Sequence, residues 1–211
     1  MIVAVAHNKG GVGKTTTVVQ LAGELKPEII IDLDAHQGIA IINGRRPAEL
    51  RWDVRAGLDK AALIKLLKAA GERLVLIDCG GFDSELVRIA IAAADLIIAP
   101  SNDDITEQIG LVRFNRVLAE ISQAAGEPIK AHVLMTRTNP SRKNFAAISD
   151  ELAGLPHLTM MTSKLSRRAD WANQMESGLG VTERAATRSS AAGIEAKALA
   201  EEVRSRLALL A

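Results

Sequence analysis

Residues Lys9 to Thr16 read KGGVGKTT, three glycines and two lysines directly after the apolar run Ile2 to Ala6. These residue types at this spacing suit the binding of a polyphosphate. Gly10, Gly11 and Gly13 let the backbone turn successive N–H groups, including that of Val12, onto an anion. In such a loop Lys14 supplies a point charge for β- and γ-phosphates, Thr15 a hydroxyl for Mg²⁺, and Thr16 a donor for the α-phosphate. The chemistry needs a strand before the loop and a helix after it. IVAVA reads as a short buried strand, and Thr15 to Leu25 carries Val18, Val19, Leu21, Ala22 and Leu25 at helical spacing, so the helix N-terminus faces the phosphates.

A phosphate loop leaves the γ-phosphate without a metal anchor or a positioned water, and carboxylates at the ends of later strands would supply both. Asp32 and Asp34 follow the apolar triplet Ile29 to Ile31, and Asp78 ends the run LVLID. Both placements put acids at the carboxyl edge of a sheet, beside the loop.

The elements that must position these groups are legible as an alternation. Apolar runs at Ile2–Ala6, Ile29–Ile31, Leu74–Ile77, Leu96–Ala99 and His132–Met135 predict strands. Helices are predicted near Lys14–Leu25, Asp59–Ala70, Ser84–Ala94, Thr106–Ala125, Arg142–Ala153, Ala169–Ser177 and Ala191–Leu209. The fold class expected is α/β, a mostly parallel twisted sheet flanked by helices. Asn43 to Pro47 reads as a turn, and no linker or repeat divides the chain, so residues 1–211 are expected to form a single domain. With 48% hydrophobic and 24% charged residues, the composition is that of a soluble globular protein. No apolar run reaches the roughly 20 residues of a membrane span, and the chain enters a strand at once, which together predict a cytoplasmic location. One cysteine, Cys79, excludes an intrachain disulfide and a multi-cysteine cluster. A net charge of +1 gives no global sign of nucleic-acid binding.

Asn8 stands where the first glycine of G-x-x-x-x-G-K-[ST] belongs, and Lys9 precedes Gly10. This version of the loop resembles the deviant Walker A motif of the ParA/MinD family of ATPases. The resemblance implies a P-loop fold, ATP and Mg²⁺ as ligands, and hydrolysis of ATP to ADP and phosphate. It also implies an ATP-bound homodimer in which Lys9 reaches the partner's nucleotide. DLDAHQG at Asp32–Gly38 resembles switch I, which maps the attacking water onto Asp34 and gives Asp32 a part in supporting Mg²⁺ and the loop; against the family's D-x-D-P-Q, Ala35 replaces the proline, and either His36 replaces the glutamine or one residue is inserted before Gln37. LVLIDCGG resembles a Walker B strand, with Asp78 holding Mg²⁺ through water, and Gly80 and Gly81 replace the usual prolines of switch II. ADLIIAPSNDD resembles the next strand, and VLMTRTNP falls where adenine is read, implicating Thr136 or Asn139. SRRADWANQMESGLGVTE resembles the carboxyl-terminal pattern of small plasmid-type ParA proteins. The turn between Leu25 and Ile29 is shorter than in relatives and is expected to have no catalytic consequence.

The resemblance leaves three cargoes open. Partition would use non-specific DNA, a ParB-like centromere-binding partner and nucleoid association. Because the apolar strand run starts at Ile2, no helix-turn-helix domain is expected before it. Arg142, Lys143, Lys164, Arg167, Arg168, Arg184 and Arg188 form a basic set suited to phosphate contacts. A MinD-like membrane switch would need large apolar anchors on a terminal helix; Glu195–Ala211 has Leu199, Val203, Leu207 and Leu210 but also three glutamates, and is expected to pack on the domain. A positioning ATPase for a protein cargo is the third class.

Overall fold

The computed structural model describes residues 1–210, leaving aside the side chains of residues 105 and 173. Seven strands, β1 (Ile2–Val5), β2 (Ile29–Asp32), β3 (Val54–Ala56), β4 (Val75–Asp78), β5 (Leu96–Ser101), β6 (Ala131–Thr138) and β7 (Leu158–Ser166), pair in the order β3-β2-β4-β1-β5-β6-β7. Every pairing is parallel, including β1 with both β4 and β5. The expected α/β class is therefore present. The order places β1 and its loop at the centre, with consecutive connections departing to either side, the arrangement that opens a ligand crevice at the strands' carboxyl ends.

Strand alternation divides the core into two layers. Ile2, Ala4, Ala6, Ile29 and Ile31 face one side, where they meet α3 (Lys60–Lys68), α4 (Glu85–Ala92), α5 (Ile105–Ala125) and α6 (Ala146–Ala153). Val3, Val5 and Ile30 face the other, against α1 (Lys14–Leu25), α2 (Gly38–Arg45) and α8 (Ala191–Ala208).

Several expected boundaries shift. The helix expected from Arg142 starts at Ala146, because the amide of Arg142 donates to the Asn139 carbonyl in a turn. The segment 169–177 is a 3-10 turn, Ala169–Asn173, followed by α7 (Gln174–Ser177). Helix α2 was not expected, and it carries the chain through Asn43 to Arg45, so the turn anticipated at 43–47 begins only after it. Strands β3 and β7 were also not expected. Both lie at sheet edges, β3 has no fully buried residue, and the alternating polar content of β7 hides it from a search for apolar runs.

The short turn after α1 is closed by Lys26 in the left-handed region at φ 51°. Helix α8 buries Leu199, Val203 and Leu207 in the core, as its amphipathicity predicts, whereas Leu210 stays 61% exposed. The last residue of the expected amphipathic stretch, 211, lies outside the described residues. Among those residues no helix is long and apolar enough to cross a membrane.

Candidate functional site

The loop from Ala6 into α1 turns on two left-handed glycines, Gly11 at φ 77° and Gly13 at φ 99°. Gly13 is the N-cap of α1 and makes no side-chain capping bond, so the first turn of the helix offers its N–H groups to an anion. Gly10 has no positive φ and nothing within 4 Å of a Cβ built on it. Of the three glycines, Gly11 and Gly13 therefore meet the conformational requirement read from the sequence. Val12 is buried, and its carbonyl accepts from the Thr136 hydroxyl at 2.8 Å.

Lys14 is 6% exposed, and its ammonium donates to the Lys9 carbonyl at 2.9 Å. Burial pulls its pKa down, opposed by the charges of Asp78 and Asp34. The Thr15 hydroxyl donates to Asp78 Oδ2 at 2.8 Å. Asp78 is fully buried at the end of β4, which pushes its pKa up to about 7, although the Thr15 bond opposes the shift. Its Oδ1 has no hydrogen-bond partner. A buried carboxylate with one orphaned oxygen, held beside a loop threonine, fits a divalent cation.

Asp32 departs from the metal role expected of it. Its Oδ1 accepts from the Asp34 amide at 3.1 Å, and its Oδ2 accepts from the amides of Ile39 and Ala40 at 3.0 and 3.1 Å. Both oxygens are thus committed to holding the loop against the first turn of α2, the second of the two functions expected. Asp34 is half-buried, and its Oδ1 accepts from the His36 amide at 2.8 Å. Both Asp34 and His36 line a 680 Å³ cavity with Gly10, Gly11, Gly13, Lys14, Thr15 and Thr16.

Gly80 and Gly81 form the opposite wall of that cavity. A Cβ on Gly80 would stand 3.2 Å from the Leu33 carbonyl, and one on Gly81 would stand 3.4 Å from Gly10 Cα. These glycines serve close approach of three loops, a reason for them that the sequence does not reveal. Cys79 beside them is buried, which pushes its thiol pKa up and leaves it unreactive.

Lys9 does not line the cavity of its own chain. Its ammonium pairs with Glu107 at 2.6 Å and donates to the Thr106 hydroxyl at 3.1 Å, both at the start of α5. Its amide donates to Nδ1 of His7 at 3.0 Å. His7 is buried and stacks on Phe114, with ring centroids 5.5 Å apart. Burial, then the charges of Lys14 and Lys9, lower its pKa to about 3, so the ring stays neutral and able to accept. Glu107 and His7 were not anticipated, since neither belongs to a local motif.

A second cavity of 420 Å³ continues from Gly13 and Thr16 toward Thr136, Arg137, Trp171 and Gln174. Thr136 lines it, with its hydroxyl spent on the Val12 and Ser101 carbonyls beneath the loop. Asn139 lines neither cavity; its side-chain oxygen accepts from the amide and hydroxyl of Ser141 in a turn. Trp171, Arg137 and Gln174 are among the wall residues that the sequence does not announce. Arg137, at φ 56°, donates to the Gly11 carbonyl.

The basic set divides. Arg168 is paired with Glu195 at 2.8 Å, Arg142 with Asp103, and Lys164 donates to the Arg142 carbonyl at 2.6 Å. Arg188 donates to the Thr182 carbonyl at 2.8 Å, and one terminal nitrogen of Arg184 is buried. Arg167, Lys143 and Arg188 are exposed. The set therefore divides between cations engaged in ion pairs or backbone bonds and surface cations, of which Arg167 and Lys143 have the greater freedom. The carboxyl-terminal pattern is structural too. Glu183 accepts from Arg46 at 2.6 and 3.0 Å and from the Gly180 amide at 2.9 Å.

A family model described as an AAA domain matches residues 1–54. The chain is 26% identical over 146 residues to Protein ParA of Rhizobium radiobacter, covering 66% of each sequence. It is 33% identical over 104 residues to the maintenance of carboxysome distribution protein A of Gloeobacter kilaueensis, covering 47% of this chain and 48% of that relative. It thus matches about two thirds and about half of the lengths of those relatives. Its fold is similar to that of the septum site-determining protein MinD from Pyrococcus horikoshii OT3 complexed with Mg-ADP, at TM-score 0.70 and 18% identity, covering 100% of this chain and 98% of that one. The chain thus joins a two-lysine glycine loop on the central strand of an all-parallel sheet to sequence similarity with a ParA protein and fold similarity with a MinD protein.

Proposed function

We propose that the protein is a Mg²⁺-dependent ATPase that works as a dimerising switch. The observation that carries this reading is that Lys14 and Thr15 line a cavity walled by three glycine-rich or acidic loops, with Thr15 bonded to the buried Asp78, whose second carboxylate oxygen has no partner. The loop amides and Lys14 bind the β- and γ-phosphates, and Thr16 lies where the α-phosphate sits. Thr15 and Asp78 hold Mg²⁺, which neutralises charge on the phosphates when bound. Asp34 orients water at the open side, and the cavity beside Trp171 takes the base. Hydrolysis of ATP to ADP and phosphate that stops in EDTA tests this directly; turnover unaffected by chelation would reject the metal site.

Lys9 supports the dimer. It is held on α5, outside its own cavity and partly exposed, so a second copy can receive it once the Glu107 pair opens. We expect Lys9→Ala to retain ATP binding within a few-fold but to lose ATP-dependent dimerisation, read by light scattering with ATP and with ADP. Dimerisation at the wild-type ATP concentration would remove the role of Lys9.

Two readings of the cargo have support in the sequence relatives. Similarity to a ParA protein supports partition, with a ParB-like partner and sequence-indifferent DNA bound through exposed cations such as Arg167 and Lys143, in a nucleoid-associated setting. Similarity to a carboxysome distribution protein supports positioning of a protein cargo by the same switch. Packing of α8 against the sheet weighs against a membrane anchor. Anisotropy of a labelled arbitrary duplex, titrated in Mg-ATP and in ADP beside a liposome sedimentation control, decides among them. ATP-dependent, salt-sensitive DNA binding is the expected result; sedimentation with liposomes and no DNA binding would overturn it.

A further inference from the structure

We propose that Gln174 and Gln20 are positioning residues that keep the Thr16 hydroxyl pointed at the α-phosphate of a bound nucleotide, an inference that rests on the nucleotide-binding reading of the loop. Both amide side chains are deeply buried, Gln20 at 1% and Gln174 at 5% exposure, and burying an amide is costly unless it is hydrogen-bonded. Each is bonded in a way that fixes a direction.

The direction is set at the far end. The Val181 amide can only donate, and it donates to Gln20 Oε1 at 2.8 Å. That orients the Gln20 amide, whose Nε2 donates to Gln174 Oε1 at 2.9 Å. The Nε2 of Gln174 is thereby turned toward Thr16 and donates to its Oγ1 at 3.1 Å. Thr16 is an acceptor in this bond, so its single hydroxyl proton is free to point elsewhere. Thr16 lines both cavities, the phosphate-loop cavity and the one running to Trp171, which is the position a nucleotide's α-phosphate bridges. Reversing the Thr16 bond would flip both amides and strand the Val181 N–H, so the relay opposes the reversal. A threonine without it can spend its proton on a protein acceptor and lose the phosphate.

A double-mutant cycle on Mg-ADP binding, followed by calorimetry, tests the relay. In Gln174→Glu the new carboxylate accepts from both Gln20 and Thr16, turning the hydroxyl away from the phosphate. We expect a loss of about tenfold in affinity, the scale of one hydrogen bond to a charged group. Thr16→Val should lose a similar factor, and the double variant should be no weaker than the worse single one, because both changes remove the same bond. Melting curves screen each variant; if Gln174→Glu melts early, Gln174→Met carries the same cycle with a smaller loss that again vanishes in the Thr16→Val background. Independent, multiplying losses would overturn the relay while leaving nucleotide binding intact. A wild-type chain that binds neither ADP nor ATP would instead reject the nucleotide reading, and the relay with it.

Discussion

Lys14→Ala is expected to reduce ATP turnover by at least about 10²–10³, the effect of removing one preorganised charge from a phosphate site, without destabilising the fold. The contrast follows from the surroundings of Lys14. Lys14 is a buried cation whose burial lowers its pKa, and its one direct hydrogen bond goes to the Lys9 carbonyl. Its removal would strand a charge only if Asp78 had to stay ionised. Burial holds the Asp78 pKa near 7, so that carboxylate takes up a proton at little cost. The melting temperature should therefore hold or rise slightly while Mg-ATP binding disappears. Lys14→Arg should fail similarly, since a planar guanidinium does not replace a compact ammonium in this closed space. Calorimetric titration with Mg-ATP beside a thermal melt measures both halves. A loss of tenfold or less would remove Lys14 from the centre of the site.

Arg46→Ala is expected to produce the largest loss of stability, about 3–5 kcal/mol, the cost of breaking a buried ion pair from one side. Arg46 is 3% exposed, donates to the Leu50 and Gly178 carbonyls and to both oxygens of Glu183, and stacks 3.7 Å over Trp52. Truncation leaves Glu183 with Lys26 at 3.6 Å as a weaker counter-charge. At about 2–4 °C per kcal/mol for a chain of this size, the melting point should fall by roughly 10 °C. Burial alone would raise the Glu183 pKa, yet hydrogen bonds from Arg46 and Gly180, with the charges of Arg46 and Lys26, bring it below the usual value of 4.5. The pair's contribution is therefore present above pH 4.5 and fades as pH falls through the lower folded value. The stability gap between wild type and Arg46→Ala should narrow over that acidic range. A gap independent of pH would assign the loss to stacking on Trp52 and the backbone bonds instead.

The parts of the site legible in the sequence are those built from consecutive residues. Gly11, Gly13, Lys14 and Thr15 act through backbone geometry and a helix start that neighbours in sequence dictate. Asp78 was legible because an apolar run ending in an acid places that acid at a strand's carboxyl end whatever the rest of the chain does. Asp32 was only half legible: its position was correct, but the amides of Ile39 and Ala40 that claim it belong to a helix with weak sequence signals. Asn139 illustrates the limit, since a polar residue after a strand can as easily close its own turn as read a base.

By itself, the sequence determined the parallel α/β class, the phosphate loop and the strand-end acids, because glycine φ preferences, apolar runs and helix periodicity act over a few residues. Tertiary structure alone decided which groups meet across long stretches of chain. Glu107 takes Lys9 from 98 residues away, Gln174 takes Thr16 from 158, and Glu183 takes Arg46 from 137. These pairs depend on which helix packs beside which strand end, and on burial that makes a polar group seek the nearest available partner. Local sequence encodes the first kind of information; the second exists only once the sheet has assembled.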